Sequence, residues 1–275
     1  MNSWLETIGV IMVALSGIFL GRMFSRFRKS WWLLGYFFPF LLIATLVLIR
    51  FCDVLAFVGP FYWVAAGRGR FVILALAVTM GLTTPFSRLP RRCEKVLVCF
   101  LIVVVVFWFS VLPFLAPALI KKDLASIKTT LSSDGICFQS RDYTCGPAAA
   151  VTALKELGLQ AYEGELAILS RTSPFIGTVP GCLSAALENR YGPDGLKCRY
   201  RRFDSVDQLR DAPITLAIVR DFFLSDHCVA VLEVSDHKVT IADPVVGRMS
   251  MSHEQFAKIW RFSGIVLKRD PAHSI

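Results

Sequence analysis

Apolar runs crowded into the first 120 residues constrain this chain more than any other feature. Three of them, roughly 4–20, 31–49 and 96–120, span or nearly span a bilayer, since a crossing helix takes about 17–25 mostly apolar residues. A fourth, 71–86, is short but carries no charge. The stretch 51–66 is poorer, with Asp53 near its start and Gly59-Pro60 in its middle. It reads as a re-entrant or interfacial segment with Tyr62 and Trp63 near the headgroups. Counting it as a span would make five. The run 4–20 has no Lys or Arg before it and a basic cluster, Arg22 to Lys29, after it. That is the reverse of a cleaved signal peptide, so a permanent first helix with its N-terminus outside is expected.

Hydrophobic residues make up 55% of the chain, charged residues 19%, and mean hydropathy is +0.56. A soluble domain carries about 25% charged residues, so a wholly soluble protein is excluded, and so is a disordered one. The 30 basic and 21 acidic residues are unevenly placed. Residues 1–120 hold 11 basic residues against Glu6, Asp53 and Glu94, a balance of 11 − 3 = +8; the rest holds 19 − 18 = +1. The basic excess therefore belongs to the apolar half, where arginines set membrane orientation. It does not form the basic face that a nucleic-acid partner would need. Four and five spans both leave 8 positive charges inside and 5 outside. The dense cluster from Arg88 to Lys95 favours four, which places residues after 120 on the outer face of a bacterial inner membrane. No G-x-x-x-x-G-K-[ST] loop is present, so the chain carries no ATPase motor of its own.

Beyond residue 120 the pattern is that of a water-soluble domain: a transmembrane helical domain over 1–120, a polar and partly helical linker over 121–133, and a folded domain over 134–270. Helices are expected at 145–157, 163–170 and 181–190, the first opened by Gly146-Pro147, built on alanines and closed by Gly158. Strands follow at 196–202, 214–219, 227–234, 239–242 and 265–268, interrupted by short helices at 206–210 and 253–260. Helices first and an antiparallel sheet after is an α+β order, and the length suffices for one core.

Cys145 stands apart from the other cysteines. It begins a helix, where the positive end of the helix field favours thiolate, the nucleophilic form in acyl transfer. A base is then required. Of the four histidines, His273 lies in the tail, His253 reads as a helix N-terminal residue, and His237 sits in the turn from Ser235 to Lys238. His227 starts an apolar strand, where a ring can be held rigidly. Asp243, 16 residues later at the end of the next strand, can orient it. The Asp243-Pro244 pair also reads simply as a turn. For the oxyanion, the Cys145 backbone N–H and the side-chain amide of Gln139 are natural donors.

The segment Gln139-Ser-Arg-Asp-Tyr-Thr-Cys145-Gly-Pro-Ala-Ala, then His227, then Ile241-Ala-Asp243-Pro244-x-x-Gly247, resembles the bacteriocin-processing, or double-glycine leader, cysteine peptidases. These are papain-like proteins. The resemblance covers roughly 134–270 and implies Cys145 as nucleophile, His227 as base then acid, Asp243 as its orienter and Gln139 as oxyanion donor. Thr144 stands where the family often has Asp, and Cys228 where it often has an aromatic or aliphatic residue; alternation points Cys228 away from His227.

The expectation is a membrane-anchored, stand-alone cysteine peptidase in the lipid bilayer. It would act on a peptide or protein substrate near the membrane, with a separate transporter as a candidate partner. A papain-like acyl-transfer or deamidating enzyme would use the same residues, and a peptide-binding module without activity is the non-enzymatic alternative. No metal or organic cofactor is implied, because no cysteine pair has C-x-x-C spacing. Cys182 and Cys198 could form a disulfide in an oxidising compartment.

Overall fold

The computed structural model describes residues 3–52, 54–59, 61–221 and 225–270. Asp53, Pro60, His273 and the side chain of Trp63 lie outside the described residues, and so do the expectations attached to them. The chain divides into two compact units, Met1–Leu119 and Ile120–Ile275.

The first unit contains α1 (Ser3–Ser25), α2 (Leu34–Phe51), α3 (Phe61–Ala66), α4 (Gly69–Thr83), α5 (Arg92–Val106) and α6 (Leu112–Leu119), with a π-helical turn, Phe107–Val111, between the last two. Four helical stretches are long and apolar enough to cross a membrane: Ser3–Ser25, Ser30–Phe51, Gly69–Arg88 and Arg92–Ala125. The stretch 51–66 adds no span among the described residues. It holds a 3₁₀ turn, Leu55–Phe57, and the six-residue α3.

The least apolar of the four stretches is the best buried. Gly69–Arg88 has 39% of its window buried against 11% for Arg92–Ala125. Apart from Met80, the residues that α4 buries are small or hydroxylated: Gly69, Ala75, Ala77, Thr79 and Thr83. Thr79 Oγ1 donates to Ala14 O of α1 at 3.1 Å, and Thr84 Oγ1 to Gly35 O of α2 at 3.1 Å. A methyl group on Gly17 or Gly21 of α1 would collide with Thr79 Oγ1 or Thr83 Oγ1. Small residues spaced four apart let apolar helices approach closely where hydrophobic burial supplies no drive.

The second unit starts with α7 (Lys121–Ala125), whose Leu124 is fully buried. The stretch 121–133 adds α7 and β1 (Thr130–Leu131), which pairs with β2 (Cys137–Phe138). Then come α8 (Cys145–Glu156), α9 (Glu163–Leu169), α10 (Pro180–Tyr191), β3 (Leu196–Arg202), α11 (Asp207–Arg210), β4 (Ile214–Arg220), β5 (Asp226–Val234), β6 (Lys238–Asp243), β7 (Gly247–Ser252), α12 (His253–Ile259) and β8 (Trp260–Arg269). The six long strands form one antiparallel sheet in the order β3-β8-β4-β5-β6-β7. This is the α+β arrangement that the sequence order implied.

Each face of the sheet has its own core. On one, α8 and α10 cover Leu216, Ile218, Cys228, Ala230 and Ile265. On the other, α11 and α12 enclose Val229, Val231, Phe256 and Trp260. Alternation along β5 decides which residue goes where. Helix α8 is buried from Gly146 to Leu154. Its far end is held by Arg269 Nη1, which donates to Leu157 O at 2.9 Å.

Two strands differ from expectation. β7, GRMSMS, has almost no apolar alternation and lies at the exposed sheet edge. β8 begins at Trp260 rather than Ile265, so the preceding helix ends at Ile259. Its first half carries a register shift against β4 and a left-handed residue, Phe262, at φ 49°, which breaks the alternation that marks a strand. No disulfide joins Cys182 in α10 to Cys198 in β3; burial pushes the Cys198 thiol up to about 12.

Candidate active site

Cys145 is the first residue of α8 and is partly exposed. The residue before it occupies the N-cap position but does not cap the helix with its side chain. Thr144 Oγ1 turns back to accept from Arg141 N at 3.1 Å and donate to Arg141 O at 2.9 Å. The hydroxyl closes the 141–144 turn, which leaves the first helical N–H groups without a side-chain acceptor. They sit beside the Cys145 sulfur and can face a developing anion.

His227 lies one residue into β5. Its Nε2 is 3.1 Å from Asp243 Oδ1, and both side chains are largely buried. With Nε2 engaged there, the other ring nitrogen, Nδ1, is left for Cys145, which lies close enough to act on the imidazole. Burial by itself would lower the His227 value. The bonds to Asp243 and Cys145 overcome it and raise the imidazole to about 10. Burial pushes Asp243 the other way, yet its bonds from His227 and the Val245 N–H hold it below the usual carboxylate value. The geometry therefore favours imidazolium between two acidic partners.

Asp243 is fixed by its own turn. Oδ1 accepts from Val245 N at 2.7 Å and Val246 N at 3.3 Å, an Asx-type turn that joins β6 to β7. The register pairs Asp243 with Gly247, whose φ of +99° is the left-handed conformation glycine tolerates. The carboxylate that shapes the turn is thus the one that faces the imidazole.

Gln139 follows β2. Its N–H donates to Pro244 O at 2.9 Å, next to Asp243, while β2 is tied to α8 by Cys137 N donating to Thr152 Oγ1 at 2.9 Å. His227 and Asp243 are bonded, Cys145 lies near the imidazole, and Gln139 is tied by its backbone to the residue after Asp243. Its side-chain Oε1 is buried without a hydrogen-bond partner.

The remaining candidates separate cleanly. Cys228 is buried on the α8 side of β5 with Cys145 packed against the same cluster. Burial, with the nearby Cys145 and Asp243, pushes its thiol well above the ordinary value, so it is inert beside the exposed sulfur. Cys137 is likewise pushed up to about 12 by burial. His237 is exposed in its turn, and His253 Nε2 lies 2.9 Å from Ser235 O. Among the described residues no cluster of His, Cys, Asp and Glu is disposed to hold a metal.

One residue escaped the sequence. Glu163 is fully buried, and its two carboxylate oxygens accept from Ser140 N at 2.8 Å and Ser140 Oγ at 2.6 Å. An acidic residue opening a helix is ordinary in sequence, so no signal marked it.

A thiol at a helix start, a largely buried imidazole and a carboxylate behind it thus stand together in the second unit. Residues 134–274 match the sequence profile of the Peptidase C39 family, and the chain belongs to that family. It is a cysteine peptidase.

Two uncharacterized Methanothermobacter proteins are similar to about half of the chain. One, from Methanothermobacter thermautotrophicus, is 32% identical over 52% of this chain and 94% of its own length. The other, from Methanothermobacter marburgensis, is 33% identical over 54% and 98%. Among solved structures, the peptidase domain of Streptococcus ComA, a bifunctional ABC transporter, aligns at a TM-score of 0.43 with 24% identity, covering 48% of this chain and 96% of that one.

Proposed function

We propose that this chain is a membrane-anchored peptidase whose reaction runs through Cys145, His227, Asp243 and Gln139. The observation that carries the proposal is the row Asp243–His227–Cys145, with Nε2 3.1 Å from the carboxylate and Cys145, at the start of α8, close enough to act on the ring. The Cys145 thiolate attacks the scissile carbonyl and forms an S–C bond. The negative charge that develops on the carbonyl oxygen meets the Cys145 N–H and the Gln139 amide. His227 gives its proton to the leaving amine as the C–N bond breaks. In the second half-reaction His227 takes a proton from water, water attacks the acyl carbon, and thiolate leaves. Asp243 holds the ring in place and stabilises the imidazolium.

Four helical stretches long and apolar enough to cross a membrane support an integral membrane anchor. An even number of crossings puts the peptidase unit on the same side as the N-terminus, the outer face. The substrate is a peptide or extended protein segment near the bilayer. A transporter is the candidate partner, as the similar peptidase domain is that of ComA, a bifunctional ABC transporter.

The test labels the full chain in detergent with a low dose of iodoacetamide from pH 4 to 9 and compares wild type with His227→Ala by mass spectrometry. Cys145 should label fastest at neutral pH or below, and lose that advantage in the variant. Equal labelling of Cys145 and the other cysteines of this unit, or identical labelling in the variant, would sink the mechanism.

A further inference from the structure

The side-chain amide of Gln139 has nothing of its own to hold it. Its Oε1 is buried without a partner, and an amide left this way gains no orientation from hydrogen bonding. What fixes the residue is the backbone on both sides. Gln139 N–H is tied to Pro244 O at 2.9 Å. The next residue, Ser140, is gripped by Glu163 through both its N–H and its hydroxyl, at 2.8 and 2.6 Å. Glu163 is itself fully buried at the start of α9, with its N–H donating to Thr129 Oγ1 at 2.9 Å. Burying a carboxylate is costly unless its oxygens are bonded, and here both are committed to one serine beside the oxyanion amide.

We propose that Glu163 is a positioning residue: through Ser140 it sets where the Gln139 amide stands, and so the strength of the oxyanion site. This rests on Gln139 being an oxyanion donor. The Pro244 contact fixes one end of the segment relative to Asp243, and the Glu163 contact fixes the other relative to α9.

Two probes separate this role from a merely structural one. Alkylation of Cys145 by iodoacetamide is a displacement at carbon with no oxyanion. Acylation by acetyl-Gly-Gly p-nitrophenyl ester passes through a tetrahedral oxyanion and is read as a burst of p-nitrophenolate. In the full chain in detergent, Glu163→Ala should slow acylation by about tenfold or more, toward the roughly 10²–10³-fold that loss of an oxyanion donor costs, with alkylation unchanged. Glu163→Gln should retain most of the acylation rate, because its amide can still accept from Ser140 N–H and donate to Ser140 Oγ. In a Gln139→Ala background, adding Glu163→Ala should cost nothing further.

The proposal is overturned if Glu163→Ala slows both probes alike, or if its effect multiplies with that of Gln139→Ala. Should Glu163→Ala fail to fold, Ser140→Ala removes only the hydroxyl half of the grip and bears the same comparison. If Gln139→Ala leaves the ratio of the two rates unchanged, the oxyanion role of Gln139 has failed and Glu163 with it. If Gln139→Ala moves the ratio and Glu163→Ala does not, Glu163 alone has failed.

Discussion

The two units use apolar residues in opposite ways. In the first, much of what is buried is small, such as Ala14, Gly17, Gly21, Ala75, Ala77 and Thr79, with Met80 and Phe114 among the large exceptions. The large side chains, such as Phe19, Phe40, Val96 and Phe100, face outward with more than half their surface exposed. In the second, Trp260, Tyr191, Phe203 and Phe256 are inside and the outer face is charged. Burial of large apolar surface drives folding in water. Between helices in lipid that drive is missing, and close backbone approach and buried hydroxyl bonds take its place. The lesson is that hydropathy alone ranks the helices in the wrong order: the least apolar of the four stretches is the best packed.

The proposed catalytic line is where the contrast should break most visibly. Cys145→Ala should abolish peptide hydrolysis, a loss of about 10⁶-fold by analogy with other nucleophile deletions, with both units still folded by circular dichroism. Asp243→Ala should lower kcat by roughly 10²–10⁴-fold. It should also move the alkaline limb of the rate profile, expected near the His227 value of about 10, toward neutrality, because its bond and charge are what hold that value up. An unmoved limb would show that Asp243 does not orient the ring.

Packing comes next. Trp260→Ala should destabilise the peptidase unit by about 3–5 kcal/mol, read by urea unfolding of the full chain in micelles. Gly21→Leu should disrupt α1–α4 packing while the transition of the second unit stays put. If either change moves both transitions together, the two units are not separate packing problems.

The smallest effects are electrostatic and local. The folded His227 value lies above the ordinary 6.5. Its contribution to stability is therefore complete below pH about 6.5 and drains away as pH rises through about 10. The depressed Asp243 contributes above the ordinary 3.8, and that part is lost as pH falls through its folded value. The stability gap between wild type and His227→Ala should thus narrow between pH 7 and 10. Ser252→Ala, which breaks the capping box with Gln255 at the start of α12, should cost about 1 kcal/mol and leave hydrolysis intact.

Much of this was legible in the sequence, for identifiable reasons. Leu196–Arg202 alternates in sequence and is the strand β3 in the structure. The run Cys145-Gly-Pro-Ala-Ala-Ala could only open a buried helix, and the spacing from His227 to Asp243 fits two neighbouring antiparallel strands. β7 was hidden because an exposed edge needs no apolar face. The start of β8 was hidden by a bulge. Asp243 read as either a turn residue or an orienter, and in the structure one oxygen closes the turn and faces His227. Glu163 was invisible because its importance lies in burial and in one distant serine, 23 residues back, and neither has a local signature.

The turn at Asp243 has one more consequence. The same carboxylate oxygen that faces His227 accepts the amide protons of Val245 and Val246. Opening this hairpin by local unfolding would release the imidazole before the sheet as a whole gives way. The two valine amides are therefore built-in gauges of competence. Their hydrogen-exchange protection should track the fraction of molecules able to turn over, even when every other signal reports a folded protein.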